Sequence, residues 1–337
     1  MIKFLIPGFD NNYPQRASYR FRAMIPLKGM RPEDGIIKSV KEAKEGDLVV
    51  LAKKARPDDL FYLKSHGIKS AYDICDNRWR KYVSPKWIER VIKPHNVICQ
   101  NADILTTTCS GMWREIRKNI GRDSIIIPDP VEAIKEEPRV ALKSKRFIKI
   151  FTYGTAKHFM KIYWNQLIQD WIDLGLEFKI YAVMDRSKKY KQMYKDEIEK
   201  GRMEIHEYDF KKQYELMKEC DVVFLPIVAN SMANLQDIRS KSPNRIIDAI
   251  YSGKPVITDN GIDTWGNFRR FADFVGWARD VNYSSFGVAI RALINRPKEE
   301  IIKRILEGQI YIQDNHSPEV IGNQWIELEN KIGRIGF

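Results

Sequence analysis

The stretch SKSPNRIIDAIYSGKPVITDNG, residues 240–261, decides how the whole chain is understood. It has the pattern of a short helix followed by a strand. Ser242 is a good N-cap and Pro243 a good first helical residue. Asn244 and Arg245 then fall in the first turn, and Ile246, Ile247, Ala249 and Ile250 supply a buried face at helical spacing. Gly253 suits the left-handed position that ends a helix, and Lys254-Pro255 turns the chain into the strand Val256-Ile257-Thr258. The amino end of a helix carries unpaired N–H groups and about half a positive charge, so it attracts anions. Arg245, with Lys241 just ahead of the helix, adds two formal charges there. One turn on, Asp248 offers a carboxylate to sugar hydroxyls. A diphosphate joined to a ribose matches that layout. The simpler alternative is a well-capped helix–strand unit with Arg245 and Asp248 solvated.

The same alternation runs outward through the chain. Short apolar runs occur at IKFLIPG (2–8), GDLVVLAK (46–53), KSAYDICD (69–76), ADILTTTCSG (102–111) and DSIIIPDPV (123–131). They recur at FIKIFTYGT (147–155), EFKIYAV (177–183), MEIHEYD (203–209) and DVVFLPIV (221–228). Segments with helical spacing lie between them, among them PDDLFYLKSHG (57–67), MWREIRKNIG (112–121), YWNQLIQDWIDLG (163–175) and KKYKQMYKDEIEKG (188–201). Strands bounded by turn residues and alternating with helices predict parallel sheets with crossover helices. The polar stretch AIKEEPRVALKSKR (133–146) has no strand pattern and is the expected linker. The expected fold is α/β: two doubly wound, Rossmann-like domains, 1–140 and 141–317, facing a central cleft, with a helical tail over 318–337. Ligands of such sheets sit at the carboxyl ends of the strands, here in the cleft between the units.

Composition narrows the function classes. Hydrophobic residues make up 44% of the 337 positions and aromatics 11%, enough to fill two cores. The formal net charge of +13 favours anionic partners: nucleotides, phosphorylated substrates, nucleic acid or an anionic membrane surface. Cys75, Cys99, Cys109 and Cys220 show no Cys-x-x-Cys spacing and are expected to stay reduced in a cytosol. The amino-terminal apolar run is too short for a signal peptide, and no window approaches the ~18 apolar residues of a spanning helix. A cytoplasmic chain, soluble or peripheral to the inner face of the membrane, is expected. The histidines (66, 95, 158, 206, 316) lack metal-ligand spacing. Asp73 and Asp76, three apart near a strand end, do not point the same way in a regular strand. No metal and no cofactor is expected, and no Gly-x-Gly-x-x-Gly follows a strand to support a dinucleotide-dependent oxidoreductase. The segment NRWRKYVSPKWIERVIKPH (77–95) mixes cations with two Trp and a Tyr. It suits an anionic membrane surface, nucleic acid, or an amphipathic helix whose aromatics are core.

The segment KSPNRIIDAIYSGKPVI (241–257) resembles the nucleotide-sugar signature of GT-B fold glycosyltransferases, in the large group related to bacterial polysaccharide-building enzymes. In that family a helix of the form Glu-Ala-(three residues)-Gly-x-Pro-Val-Ile follows the donor loop. The second acidic residue of its Glu-(seven residues)-Glu motif binds the donor ribose and matches Asp248, one methylene shorter. The first acidic position, which sits against the transferred sugar, holds Ser240 here, a departure. ASYRFRAMIPLKGM (17–30) is similar to the family's Ser-x-Arg-x-Arg helix and contributes Arg20 and Arg22. AYDICDN (71–77) is similar to its Asp-x-x-Asp strand end and contributes Asp76. NADILTTTCSGM (101–112) resembles the strand that precedes IIIPDPVE. FTYGT (151–155) stands where the family has its second Gly turn, but the usual Gly-Arg is Gly154-Thr155; Lys157 or Lys161 supplies the later Lys. YELMKECDVVFLPIV (214–228) matches the helix–strand pair before the donor loop. SPEVIGNQWIELENKI (317–332) resembles the closing helix that packs back on the first domain. The resemblance spans nearly the whole chain.

What it implies is a retaining, metal-independent glycosyltransferase. A UDP- or GDP-sugar donor would lie on the second domain and a saccharide or lipid-linked saccharide acceptor on the first. Breaking the sugar–phosphate bond develops charge on the leaving diphosphate, which fixed cations and oriented N–H groups stabilise. Arg245, Lys241, Ser242 and Asn244 at the helix start, with Gly154, Thr155, Lys157, Lys161, Ser240 and Asp248, form the donor side. His158 follows the Gly154 turn, within reach of donor or acceptor; the alternative is an exposed loop histidine. Gly8, Arg20, Arg22 and Asp76 face the acceptor. Arg20 and Arg22, two apart on a helix, do not share a face, so at most one is expected to point inward. Asp10, after the first Gly turn, stands where an acceptor-activating base is needed. Two other functions fit the sequence. The net charge admits a DNA acceptor with a modified base, as in phage DNA glycosyltransferases, which resemble this fold. Ser240 and the missing Gly-Arg admit a non-catalytic nucleotide-sugar or anion-binding protein.

Overall fold

The computed structural model describes residues 1–7, 9, 17–53, 55–79, 84–140, 147–154, 161–185, 187–225, 240–259, 267–275 and 284–334. Two six-stranded parallel sheets organise them. The first holds β1 (Ile2–Leu5), β2 (Gly35–Ile37), β3 (Leu48–Leu51), β4 (Lys69–Ile74), β5 (Ile104–Thr107) and β6 (Ile125–Ile126), in the order β2-β1-β3-β4-β5-β6. The second holds β7 (Phe147–Gly154), β8 (Glu177–Met184), β9 (Met203–Glu207), β10 (Val222–Leu225), β11 (Val256–Asp259) and β12 (Asp273–Val275), in the order β12-β11-β10-β7-β8-β9. In each sheet the chain first builds outward on one side, then returns to the other: β3 beside β1, β10 beside β7. Such switch points are where open α/β sheets collect ligands, at the carboxyl ends of the strands. Gly154, the last residue of β7, stands at one of them.

Each strand expected from the sequence forms. Central strands are continuous apolar runs because crossover helices cover both faces; Leu-Val-Val-Leu in β3 and Val-Val-Phe-Leu in β10 are buried throughout. Alternation still sorts them. Leu48 and Val50 face one side with Ile2, Phe4 and Ala71; Val49 and Leu51 face the other with Leu5, Tyr72, Leu60 and Leu63. In the second sheet, Ile150 and Phe224 pack with Trp164 and Trp171, whereas Phe151 and Val223 pack with Ile246, Ile247 and Ile250. Two strands escaped the sequence pattern, β2 and β12. Both are three residues long and lie at outer edges, so neither needs a long apolar run. The single helix expected over 188–201 is two, Ser187–Met193 and Lys195–Glu199. They part at Tyr194, which leaves helical geometry (φ −110°, ψ 27°) with its ring buried.

The helix within residues 240–261 starts later than its Ser-Pro step suggests. It spans Asn244–Tyr251, and Pro243 occupies the cap position without a side-chain cap. The Pro243 carbonyl accepts from the N–H groups of Ile246 and Ile247 at 2.9 and 3.1 Å. Ser242 Oγ is buried with no hydrogen-bond partner among the described residues, so it caps nothing. A second Ser-Pro step does cap: Ser317 Oγ accepts from Val320 N at 3.3 Å, and Pro318 begins the helix Pro318–Arg334. At Gly253 the backbone is left-handed (φ 71°), and an added Cβ would lie 2.7 Å from the Glu136 carbonyl oxygen. That position therefore admits little but glycine, and the helix end is pressed onto the connecting segment.

The two carboxyl-terminal helices tie the sheets together. Lys298–His316 packs on the second sheet through Ile301, Ile305 and Ile312. Pro318–Arg334 packs on the first through Ile321, Trp325, Leu328 and Ile332, in one cluster with Ile2, Phe4 and Tyr19. Trp325 meets Phe4 edge-on at 5.4 Å. The helix reaches this depth because two glycines meet: a Cβ on Gly322 would sit 2.7 Å from the backbone of Gly29. Gly322→Val should therefore lower stability by about 1–3 kcal/mol in urea denaturation. The same change at Gly333, where a Cβ meets open space, should stay within about 0.5 kcal/mol. Equal losses at both positions would reject the close-approach account.

Candidate active site

The carboxyl ends of both sheets converge on residues 240–245. On the second domain, Arg245 Nη1 donates to the Tyr153 carbonyl at 3.0 Å, and Tyr153 Oη donates to the Arg245 carbonyl at 3.2 Å. This reciprocal pair sets the cationic helix start beside Gly154, the turn at the end of β7. Tyr153 is buried, and burial, with the charge of Asp248, pushes its hydroxyl well above the usual tyrosine range. Gly154, Asn244 and Arg245 are half-buried, with surface left to meet a ligand.

The same short run also touches the first domain. Lys241 Nζ lies 2.8 Å from Asp76 Oδ1, just past β4, and Lys53, just past β3, pairs with the other oxygen. Burial works against the Asp76 charge, but the two ammonium groups outweigh it and hold the carboxyl well below the usual range. Cys109 Sγ, following β5, donates to the Ser240 carbonyl at 3.4 Å. Ser240 is fully buried. The structure thus gathers Gly154, Ser240, Lys241, Ser242, Asn244, Arg245 and Asp76 at one place. Gly8, Asp10, Thr155, Lys157 and His158 lie outside the described residues, as does the side chain of Lys161.

Three expectations need correction. Asp248 does not offer a carboxylate to sugar hydroxyls in this arrangement. It is 3% exposed; Oδ1 accepts from the N–H groups of Glu132 and Ala133 at 3.0 and 3.1 Å, and Oδ2 accepts from Tyr214 Oη at 3.1 Å. Burial, reinforced by the charge of Glu132, raises its carboxyl to about 7 despite these donors. Arg22 does not face an acceptor either. It is 2% exposed, donating from Nε and Nη2 to Asp73 at 2.9 and 2.8 Å and from Nη1 to Asp129 at 3.1 Å. The carbonyls of Ile127 and Pro128 take Nη1 as well, at 2.7 and 3.1 Å. Burial opposes its charge, but Asp73 and Asp129 keep it ionised. Third, both arginines are buried, not one. Arg20 forks onto Glu132, donates to Tyr208 Oη at 3.1 Å and lies over the Phe210 ring at 5.1 Å. The π-helical turn Arg20–Met24 is enclosed on two sides, by the first sheet and by residues of the second domain, so opposite faces are both interior.

Asp73, on β4, and Asp76, two residues past its end, do diverge: Asp73 binds Arg22 and Thr106 Oγ1, Asp76 binds Lys241 and Lys53. Among the described residues no three His, Cys, Asp or Glu side chains group as a metal site, and no helix is long and apolar enough to cross a membrane. Sequence reasoning missed Lys53, Cys109, Glu132, Tyr153, Tyr208 and Tyr214. Lys53 and Cys109 fall inside the apolar runs that mark the strands, two residues past the carboxyl ends of β3 and β5, the edge where such sheets hold ligands. Glu132 and the three tyrosines carry no local signal, because their partners lie between 34 and 188 residues away.

The fold has counterparts among solved structures. A glycosyltransferase from Rickettsia africae ESF-5 is similar with a TM-score of 0.67 at 11% identity, over 99% of this chain and 99% of that one. WaaG, a glycosyltransferase involved in lipopolysaccharide biosynthesis, is similar with a TM-score of 0.63 at 10% identity, over 96% and 99%. A TarM mutant from S. aureus, in complex with fondaparinux, alpha-GlcNAc-glycerol and UDP, is similar with a TM-score of 0.60 at 12% identity. That match covers 84% of this chain, which spans only 55% of the length of TarM. The fold is GT-B, two Rossmann-like domains of the kind found in glycosyltransferases. No protein-family model matches the chain, and no curated protein matches it in sequence.

Two buried charges give measurable consequences. Arg22→Met should cost about 3–5 kcal/mol, since Asp73 and Asp129 stay buried without their cation. A loss below about 1 kcal/mol in chemical denaturation would show that water replaces the guanidinium. For Asp248, the folded carboxyl titrates near 7 and the ordinary value is 3.8. Between those limits the folded chain binds the extra proton, so stability falls as pH rises across the window and levels off above it. Asp248→Asn removes that slope. Its stability relative to the native chain should rise by roughly 2–4 kcal/mol from about pH 4 to about pH 8. A pH-independent difference would contradict the raised carboxyl.

Proposed function

We propose that the chain is a glycosyltransferase that moves a sugar from a nucleoside diphosphate sugar to a saccharide or lipid-linked saccharide. The observation that carries this is the Arg245–Tyr153 pair, which sets a cationic helix start against the Gly154 turn at a sheet switch point in a GT-B fold. UDP in the TarM complex makes a uridine donor the first to test. The donor diphosphate would lie over Gly154 and the start of the helix, with Arg245 and Lys241 neutralising the charge that develops as the sugar bond breaks. Thr155, Lys157 and Lys161 would complete that cradle. The acceptor would enter from the first domain past Asp76, with Asp10 as its base and His158 beside the reacting sugar. The bond to the sugar would break and re-form with retention, and without a metal.

Ser240 at the position of the family's sugar-contacting acid, together with the buried Asp248, favours one competing account: a protein that binds nucleotide sugars without turning them over. One experiment separates the two. UDP, GDP and their sugars are screened by thermal shift, and any donor that binds is then followed for hydrolysis and transfer. A donor at a hundredfold excess over Kd should stabilise the chain by about 2.7 kcal/mol. Arg245→Ala should weaken that donor by about 10- to 100-fold, with Arg245→Lys recovering part of the loss. Binding without hydrolysis or transfer supports the competing account. No shift with any nucleoside diphosphate rejects both.

A further inference from the structure

The helical run Pro85–Asn101 is packed at one end only. It comprises Pro85–Trp87, the π-helical turn Ile88–Ile92 and Lys93–Asn101. In the second half, His95, Ile98 and Cys99 are buried, and Ile92 reaches the core of the first domain. In the first half, Ser84 through Arg90 are all exposed. Trp87 is 39% and Ile88 38% exposed. Apolar positions 87, 88, 91, 92, 98 and 99, with the buried His95 among them, follow helical spacing. The stripe that docks the helix on its domain thus continues, uncovered, over the projecting turns. Trp79 just upstream is buried with its indole N–H on Asn96, so the two tryptophans of this segment have opposite surroundings.

Lys86, Arg90 and Lys93 flank the uncovered apolar pair. The only acid among them, Glu89, is spent on Lys93 at 2.6 Å. Among the described residues neither Lys86 nor Arg90 has an acidic partner. We infer that Trp87 and Ile88, ringed by Lys86 and Arg90, dock this face of the first domain on an anionic lipid surface. An indole beside an aliphatic side chain, with cations at their rim, suits the interface between headgroups and acyl chains. The surplus of positive charge over the whole chain draws it to such a surface. A nucleic-acid strand would use the indole for stacking but leaves Ile88 without a role. The placement also fits the topology. A crossover helix starts at the carboxyl edge of the sheet, so the projecting turns share that edge with Asp76 and the cleft. A lipid-linked acceptor would then be presented in the plane of the membrane. That last step rests on the proposed transferase; the docking itself does not.

The test is flotation of the full chain with phosphatidylcholine vesicles and with phosphatidylcholine–phosphatidylglycerol vesicles, over a salt series. Binding to the anionic vesicles, weakening with salt, is expected. Trp87→Ser with Ile88→Ser, and separately Lys86→Glu with Arg90→Glu, should each reduce it by about tenfold or more. All four side chains are exposed, so the melting temperature and any UDP-induced shift should be unchanged. Retained UDP shift with lost vesicle binding in the native chain would overturn the docking surface alone; the converse would leave docking and remove the donor site. Unaltered vesicle binding by both double variants would overturn the assignment. So would duplex DNA competing through these same residues better than vesicles do.

Discussion

The guanidinium of Arg22 is the fixed point of the first domain. Its fork of donors is taken wholly out of water and divided between Asp73 on β4, Asp129 and two carbonyls of the segment that leaves the sheet. The face of the ion rests 5.6 Å from the Trp325 ring. Burying such a group brings little net stability, since desolvation offsets attraction; what it supplies is a single geometry. That geometry sets the direction in which the chain departs from β6. Three residues beyond Asp129, the N–H groups of Glu132 and Ala133 close on Asp248, and Asp248 holds the helix whose first turn carries Arg245. A continuous series of polar contacts runs from β4 of one sheet to β7 of the other. Most of it lies under the surface.

Much of this fold was legible from periodicity. Apolar runs of four to eight residues, punctuated by Gly and Asp, mark the strands, because a parallel strand covered on both faces tolerates little else. Legibility failed where burial is one-sided or local rules compete. β2 and β12 have a single neighbour each and need only three residues. Tyr194 interrupts a helical pattern because its ring is drawn into the core. Ser242-Pro243 and Ser317-Pro318 look alike as sequence, yet only the second caps a helix, since Pro243 itself takes the cap position.

The placement of the candidate residues was legible in outline. Its cations and its Gly turn were assigned from sequence, and Lys241, Arg245 and Gly154 do lie near one another. What the sequence hid is which charges are already committed. Arg22 and Asp248 have the residue types of a binding site and the surroundings of a core. Only long-range partners distinguish the two situations. Lys241 is an intermediate case: its ammonium is shared with Asp76 across the two domains. An anion that recruits Lys241 must compete with a carboxylate, and in doing so loosens one of the contacts joining the domains.

The helix Pro318–Arg334 fills the core under β1, and Arg31 and Glu329, 298 positions apart, pair beside it. During synthesis on the ribosome, Ile2, Phe4 and Tyr19 emerge long before Trp325 and Ile321, which cover them. The first sheet therefore cannot close its own hydrophobic layer while the second is being made. The amino-terminal half would spend that interval with an unsealed apolar face, a natural client for chaperones. A fragment ending at the linker would inherit the unsealed face permanently.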